Sequence, residues 1–207
     1  MRYIDYERFS HHESMLSDTN RTLAFNRAIK EIVKKGDIVA VLGSGTGILS
    51  LFAADAGAKK VYAFERTSVI DKARKVAKDN DYDNIVFLKK DFSKAKLPEK
   101  CDVIVSECLG YFALQENMLD SVIEFRKKNL KRGGKVIPGR VNLWMAPVSS
   151  KDSYKHVAFW DDVYGYDFSA IKDVAINTAY HTRFNKSDLL SKPFLAGGFD
   201  LSKDNKI

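Results

Sequence analysis

The sequence predicts an α/β fold with a doubly wound, mostly parallel sheet, on three observations. Five runs dense in apolar residues, Ile38–Leu42, Lys60–Glu65, Ile85–Lys89, Asp102–Ser106 and Lys135–Ile137, read as strands buried on both faces. Helical periodicity separates most of them, over Ile48–Ala56, Ser68–Asp79 and Asn117–Leu130, which is the alternation of parallel strands with crossover helices. The first run also passes straight into Gly43-Ser44-Gly45-Thr46-Gly47 and a helix start. Such a turn lets the backbone reverse sharply and lets a ligand approach unpaired N–H groups without Cβ interference. On its own the loop says only that something nucleotide-like fits there, because ordinary strand-to-helix connections also use glycine.

Taken in order, the chain opens on Tyr3-Ile4-Asp5-Tyr6-Glu7-Arg8-Phe9, with three aromatics in seven residues. Ser10-His11-His12-Glu13 has the S-x-x-E form of a capping box and places a short helix ahead of Met15 and Leu16. This segment either packs on the core or folds over the glycine loop as a lid, and the pattern admits both. Phe25, Ala28, Ile29, Ile32 and Val33 then recur at helical spacing, with Gly36 suited to the C-terminal cap. Residues 1–36 therefore read as an N-terminal helical lid and 37–139 as the sheet domain. Beyond Ile137-Pro138-Gly139 the pattern changes. Val141, Leu143 and Met145 alternate as an edge strand, Phe159–Tyr166 is aromatic-rich, and periodicity after Ile171 is short and strand-like. Residues 140–207 read as the start of an annex, and Lys203–Ile207 as an arbitrary stop, which fits either a fragment of a longer protein or a natural short form.

Size and composition bound the rest. At 207 residues, 45% of them hydrophobic, the chain can bury one full α/β core but not a second large domain. No apolar run approaches the roughly 18 residues of a membrane span, and Met1-Arg2-Tyr3-Ile4-Asp5 lacks the apolar stretch of a signal peptide, so a cytoplasmic protein without membrane association is expected. Cys101 and Cys108 lie about 23 Å apart along an extended strand, beyond disulfide reach, and are expected as free thiols. Four histidines and two distant cysteines form no metal-ligand cluster. The net charge of +7 invites a nucleic-acid partner. The lysines, however, fall in scattered pairs (Lys34-Lys35, Lys59-Lys60, Lys89-Lys90, Lys127-Lys128), so solvated surface is favoured over a nucleic-acid footprint.

In a sheet of this kind ligands sit at the carboxyl ends of the strands. Glu65 ends the second strand 22 residues after Gly43, a spacing at which an acidic residue meets a ribose diol. Asp91-Phe92 follow the third strand and offer a carboxylate and an apolar face suited to adenine, although Asp is also a common turn residue. After the fourth strand come Glu107 and, nine residues on, Glu116, in a loop that carries Gly110. If that loop doubles back, both carboxylates point into one cleft. Alternatively, Glu116 is a first-turn helix residue favoured by the dipole.

Together these stretches resemble the protein arginine N-methyltransferases, a branch of the S-adenosylmethionine-dependent methyltransferases. The resemblance runs from about Tyr6 to Leu201. It rests on His12-Glu13 with Met15-Leu16, Asp18 and Arg21, on Gly43–Leu49, on Ser106-Glu107 with Gly110-Tyr111 and Glu116, and on Val163–Asp167 and Ile171–Ile176. It implies a Rossmann-like methyltransferase domain followed by a β-barrel-like substrate domain, S-adenosyl-L-methionine as cofactor, and arginine side chains of proteins as acceptors. It also implies a dimerisation arm and so admits a homodimer. By the same resemblance Arg21 pairs with the methionyl carboxylate of the cofactor, a task for a bidentate guanidinium. His12 contacts the cofactor from the lid, Gly43, Gly45 and Gly47 admit its backbone, Glu65 holds the ribose, and Asp91 and Phe92 flank the adenine. Glu107 and Glu116 become the paired catalytic glutamates. Two carboxylates on one guanidinium draw its charge to one side, leaving the opposite nitrogen, otherwise a poor nucleophile, able to attack a methyl group.

Three departures from the family pattern stand out. Val41 replaces the acidic residue on the first strand, Cys108 replaces the large aromatic after the first glutamate, and the Thr-His-Trp loop is absent, since neither Trp144 nor Trp160 follows a histidine. An arginine N-methyltransferase is the favoured function. Two others remain open: a methyltransferase of the same lineage with an RNA or small-molecule acceptor, and a catalytically impaired cofactor-binding module.

Overall fold

The structure, a computed structural model, describes residues 7–108, 118–180 and 182–203. Backbone contacts divide the chain into one unit that runs to Val141 and takes in Phe199 onward, and a second from Asn142 to Gly198. The first unit begins with α1 (Phe9–Ser17) and α2 (Thr19–Ile32). It continues through β1 (Ile38–Leu42), α3 (Ile48–Asp55), β2 (Lys60–Glu65), α4 (Val69–Asp79), β3 (Ile85–Lys89), β4 (Cys101–Ser106), α5 (Met118–Asn129) and β5 (Leu130–Ile137). The five strands form one parallel sheet in the order β3-β2-β1-β4-β5. This is the doubly wound, Rossmann-like order that the alternating sequence pattern predicts.

Period-two alternation explains why the sheet is buried on both faces. Ala40, Leu42, Tyr62, Phe64 and Ile104 face one way and pack with Leu119, Val122, Ile123 and Phe125 of α5, with Phe92 and with Leu201. Val39, Val41, Val61, Ala63, Val103 and Val105 face the other way, against Ile29 of α2, Leu49 and Ala53 of α3 and Ala77 of α4. The Phe125 ring anchors the first cluster edge-on to Phe64 at 5.3 Å and to Phe92 at 6.1 Å. Its complete burial alone stabilises the fold by about 1.5–3 kcal/mol.

Two local expectations are corrected. The capping box does not form: α1 starts at Phe9 with Arg8 at its N-cap and no side-chain cap, so Ser10 lies inside the first turn. The cap that does form is at α2, where Asp18 accepts the Arg21 N–H at 3.1 Å. Gly36 does not cap α2, which ends at Ile32 with Val33 extended. At φ +94° Gly36 instead makes the turn into β1, donating its N–H to the Gly57 carbonyl at 2.9 Å.

Asn129 closes this unit in a way that sequence periodicity does not reveal. Almost fully buried at the end of α5, it accepts the Leu97 N–H at 2.7 Å and donates to the carbonyls of Ala95 and Phe125. The segment after β3 is thereby tied to α5. Asn129→Ala leaves the Leu97 N–H and the Ala95 carbonyl buried without that partner, at an expected cost of about 2–3 kcal/mol. Urea denaturation should show a lowered midpoint with an unchanged slope.

β6 (Arg140–Met145) and β7 (Phe194–Asp200), most of whose residues belong to the second unit, pair as a two-stranded sheet, with α6 (Lys151–Ala158) and α7 (Lys172–Ile176) between them in sequence. The strand-like expectation after Ile171 fails over residues 172–176, which are helical, and holds at Phe194–Asp200, which is a strand. Within that helix Ala175 is buried, and Lys172 is held in an ion pair with Asp161. Tyr164 and Gly165 both take positive φ and make a tight turn bridged by Val163 and Tyr166. Among the described residues no helix is long and apolar enough to cross a membrane.

Candidate active site

The helix after β1 packs on one face of the sheet and the helix after β4 on the other, so the sheet's switch point lies at the carboxyl ends of these two neighbours. The glycine turn follows β1 there, and Glu107-Cys108 follow β4. Gly43, Gly45 and Gly47 all have positive φ, at +71°, +50° and +98°, and Gly47 is the N-cap of α3. Their lack of side chains is required by close neighbours. A Cβ on Gly43 would overlap Cys108 Sγ, and one on Gly45 would press on the His12 ring at 3.1 Å. Gly43→Ala should therefore cost about 3 kcal/mol, combining backbone strain with overlap. Adding Cys108→Ala removes only the overlap, so in chemical denaturation the pair should cost less than the sum of the singles.

The N-terminal segment reaches this turn, since His12 of α1 is buried against Gly45. A concavity of about 460 Å³ opens beside it, lined by Phe9, His12, Glu13, Leu16, Ser17 and Thr46. Glu65, at the end of β2, fixes the turn from the other side. One carboxylate oxygen accepts the Gly45 N–H at 3.1 Å and the other the Thr67 N–H at 2.9 Å.

Arg21 stands in the first turn of α2, where the Asp18 cap holds its backbone. Its guanidinium donates to the Met15 carbonyl at 2.8 Å and pairs with Glu107 at 2.6 Å. Both side chains of the pair are 30% exposed. Burial pushes the Glu107 carboxyl above its ordinary value, and the nearby charges of Arg21 and His12 oppose that push. Cys108 is a poor nucleophile: burial drives its thiol well above the usual range, and Sγ rests against the Leu42 carbonyl at 3.3 Å.

Two expected ligand contacts look different in place. Asp91 accepts the Ser93 N–H at 2.8 Å, and that backbone hydrogen bond lowers its carboxyl, so it closes a turn as well as standing at the end of β3. Phe92 is not a platform at the cleft. It is 7% exposed and turns into the core against Phe125, because α5 presents an aromatic pocket directly beneath it. Glu116 lies outside the described residues. Ser44, Thr67 and Ser106, to which the sequence assigned no role, carry hydroxyls that are buried without a hydrogen-bond partner among the described residues. All three stand at or just past the carboxyl ends of β1, β2 and β4. A buried hydroxyl left unpaired costs about 1–3 kcal/mol, so three at one edge favour a polar ligand at this edge. Only their position after strands of a parallel sheet could have signalled them.

A family model described as a methyltransferase domain matches residues 34–188. The chain belongs to the methyltransferase family. This methyltransferase is 40% identical to probable protein arginine N-methyltransferase 1.2 of Arabidopsis thaliana, over 97% of its own length and 57% of that protein. It is 42% identical to protein arginine N-methyltransferase 1 of Chlamydomonas reinhardtii, over 84% of its length and 52% of that protein. The chain spans about half the length of the curated relatives it matches. Among solved structures it resembles the Trypanosoma brucei PRMT1 enzyme-prozyme heterotetrameric complex with AdoHcy, with TM-score 0.91 and 31% identity over 97% of this chain and 65% of that one. It also resembles the open conformation of Arabidopsis thaliana protein arginine methyltransferase 10, with TM-score 0.81 and 32% identity over 96% of this chain and 64% of that one. Both matches run through residues of both units.

Proposed function

We propose that this methyltransferase uses S-adenosyl-L-methionine to methylate guanidino nitrogens of arginine side chains in proteins. One observation carries the reading: Glu107, at the switch point beside the glycine turn, holds a guanidinium at 2.6 Å. The names of the relatives and the AdoHcy of the Trypanosoma brucei neighbour support it.

In this reading the glycine turn, with Gly43, Gly45 and Gly47, and the buried hydroxyls at its rim form the cofactor cradle. Glu65 offers its remaining lone pairs to the ribose hydroxyls, Arg21 offers its guanidinium to the methionyl carboxylate, His12 covers the turn, and Asp91 borders the base. When bound, the cofactor supplies an electrophilic methyl group on a sulfonium. Glu107 accepts an N–H of the incoming guanidinium and draws positive charge toward its own side, with Glu116 as the second carboxylate. The far nitrogen is thereby left able to accept the methyl group that the cofactor would supply. The proton released from that guanidinium passes to Glu107, which its raised pKa makes a competent base, and on to water. Holding the acceptor in line supplies much of the rate, and the fixed carboxylate supplies more.

An intracellular, cytoplasmic setting belongs to the same proposal and is supported by the free thiols of Cys101 and Cys108. Self-association as a homodimer does too, supported by exposed aromatics such as Phe159, Tyr164 and Tyr166 in the second unit. Radiolabelled methyl transfer to an arginine-rich peptide, with RNA as a parallel acceptor, tests the reading. Label in the peptide is the expected result. Label in RNA alone points to the other acceptor class, and cofactor binding with no labelled acceptor points to an inactive module.

A further inference from the structure

The backbone that carries Glu107 leaves the sheet on a weak tie. The β1–β4 ladder ends at the Leu42–Ser106 pair, and beyond it the Glu107 N–H reaches the Leu42 carbonyl only at 3.5 Å, the long limit of a hydrogen bond. We infer that Cys108 is a positioning residue for Glu107, fixing it against the glycine turn through a side chain seated over Gly43.

Two contacts make the seat. Cys108 Sγ occupies the space that a side chain on Gly43 would need. Its S–H also donates to the Leu42 carbonyl at 3.3 Å, the same oxygen that the Glu107 N–H approaches. One carbonyl at the end of β1 thus accepts from two consecutive residues after β4. An S–H is a weak donor, but sulfur is large and polarizable, so the side chain fills the hollow as well as bonding across it. Cys108 packs in addition on the core cluster of the α5 face of the sheet. Burial pushes the thiol far above its ordinary range, and the carboxylates of Glu107 and Glu65 push it the same way. It therefore keeps its S–H donor and takes no part in proton transfer.

Arg21 holds Glu107 as well, but it grips the carboxylate and not the backbone. The inference rests on the proposed reading, in which Glu107 binds the acceptor and Arg21 also serves the cofactor carboxylate. In that reading the grip of Arg21 changes as the cofactor comes and goes, whereas the seat over Gly43 does not. Glu107 is thereby tied to the turn that receives the cofactor, which sets how far the acceptor nitrogen stands from the methyl group. A misplacement of about 1 Å in such a pair can cost roughly 100-fold in rate. The family pattern has a large aromatic side chain at this position, so the thiol seat is a feature of this chain and not of that pattern.

Single-turnover methylation of an arginine-rich peptide by the full chain, run well below the melting temperature of every variant, tests the inference beside titration with S-adenosylhomocysteine. Cys108→Ala should slow methyl transfer about tenfold while S-adenosylhomocysteine affinity stays within about twofold. Glu107 keeps its charge and its partner Arg21 in this variant, so the acid limb of the rate profile should not move. That separates lost position from lost charge. Cys108→Ser keeps a donor toward Leu42 and should bring the rate back to within about threefold of the unaltered chain. An alanine variant at full rate would overturn the inference, as would a parallel loss of rate and cofactor affinity, or serine and alanine variants that are equally slow. If the unaltered chain labels no peptide, the functional reading fails, and urea denaturation then decides the seat by itself. The Arg21–Glu107 pair depends on where Glu107 is held, so the midpoint shift caused by Arg21→Ala should be about half as large in a Cys108→Ala background. Additive shifts would show that Cys108 does not position Glu107.

Discussion

Glu107→Gln should lower kcat for methyl transfer to an arginine-rich peptide by about 10²–10³-fold while leaving cofactor affinity unchanged or slightly tighter. Glutamine keeps the shape of the side chain and can still accept an N–H. What it loses is the charge that polarises the guanidinium, and that charge matters most in a partly buried site. Cofactor affinity is the discriminating readout. Arg21 is held by Glu107 in the structure, and in the proposed reading it also serves the cofactor carboxylate. Neutralising Glu107 removes the competing anion, so cofactor binding should not weaken. Isothermal titration with S-adenosylhomocysteine alongside single-turnover kinetics separates the two effects. A parallel loss of affinity and kcat would mean that Glu107 only holds the site together, and an unchanged kcat would remove it from the reaction.

The sheet was legible because burial on both faces forces continuous apolar strands, and glycine is the residue that tolerates the positive φ of the turn. β1, β2 and β3 have the bounds read from their apolar runs, and β4 begins one residue earlier, at Cys101. β5 starts at Leu130, five residues earlier than read, because Lys131, Arg132, Gly133 and Gly134 give no apolar signal; a register shift between Cys101 and Val103 interrupts the ladder beside them. Glu107 could be found from sequence because it sits at a strand end, where a polar residue after an apolar run stands out. Phe92 and Asn129 could not be placed, since their partners, Phe125 for the first and Leu97 for the second, lie more than thirty residues away in the chain. Local capping was misread for a related reason. Ser10 and Asp18 both suit an N-cap, and the geometry of the α1–α2 turn, with Arg21 reaching Met15 and Glu107, favours Asp18.

Arg21→Ala should separate two jobs of one guanidinium. If Arg21 binds the methionyl carboxylate, its loss removes a charge-assisted fork and should weaken S-adenosylhomocysteine binding by about 10- to 100-fold, roughly 1.5–3 kcal/mol. The second effect is on protonation and follows from the shown ion pair alone. Burial raises the Glu107 carboxyl, and Arg21 is the main group opposing that rise. Without Arg21 the pKa climbs further. Because the ionised carboxylate is the form that polarises a guanidinium, the acid limb of the kcat profile should move to higher pH. The linkage sign agrees: an acid with a raised folded pKa favours the fold below its unfolded value and loses that contribution as pH rises through the folded value. The Arg21→Ala stability deficit should therefore be about 1–2 kcal/mol near pH 8, where an unpaired carboxylate remains part-buried, and should shrink toward pH 4 as Glu107 protonates. Arg21→Lys supplies the control, because it keeps the charge but not the planar fork. It should restore the acid limb and most of the stability while recovering only part of the cofactor affinity. If lysine restores both equally, charge alone accounts for cofactor binding. If the alanine variant leaves the acid limb in place, the ion pair with Glu107 plays no part in setting the reactive protonation state.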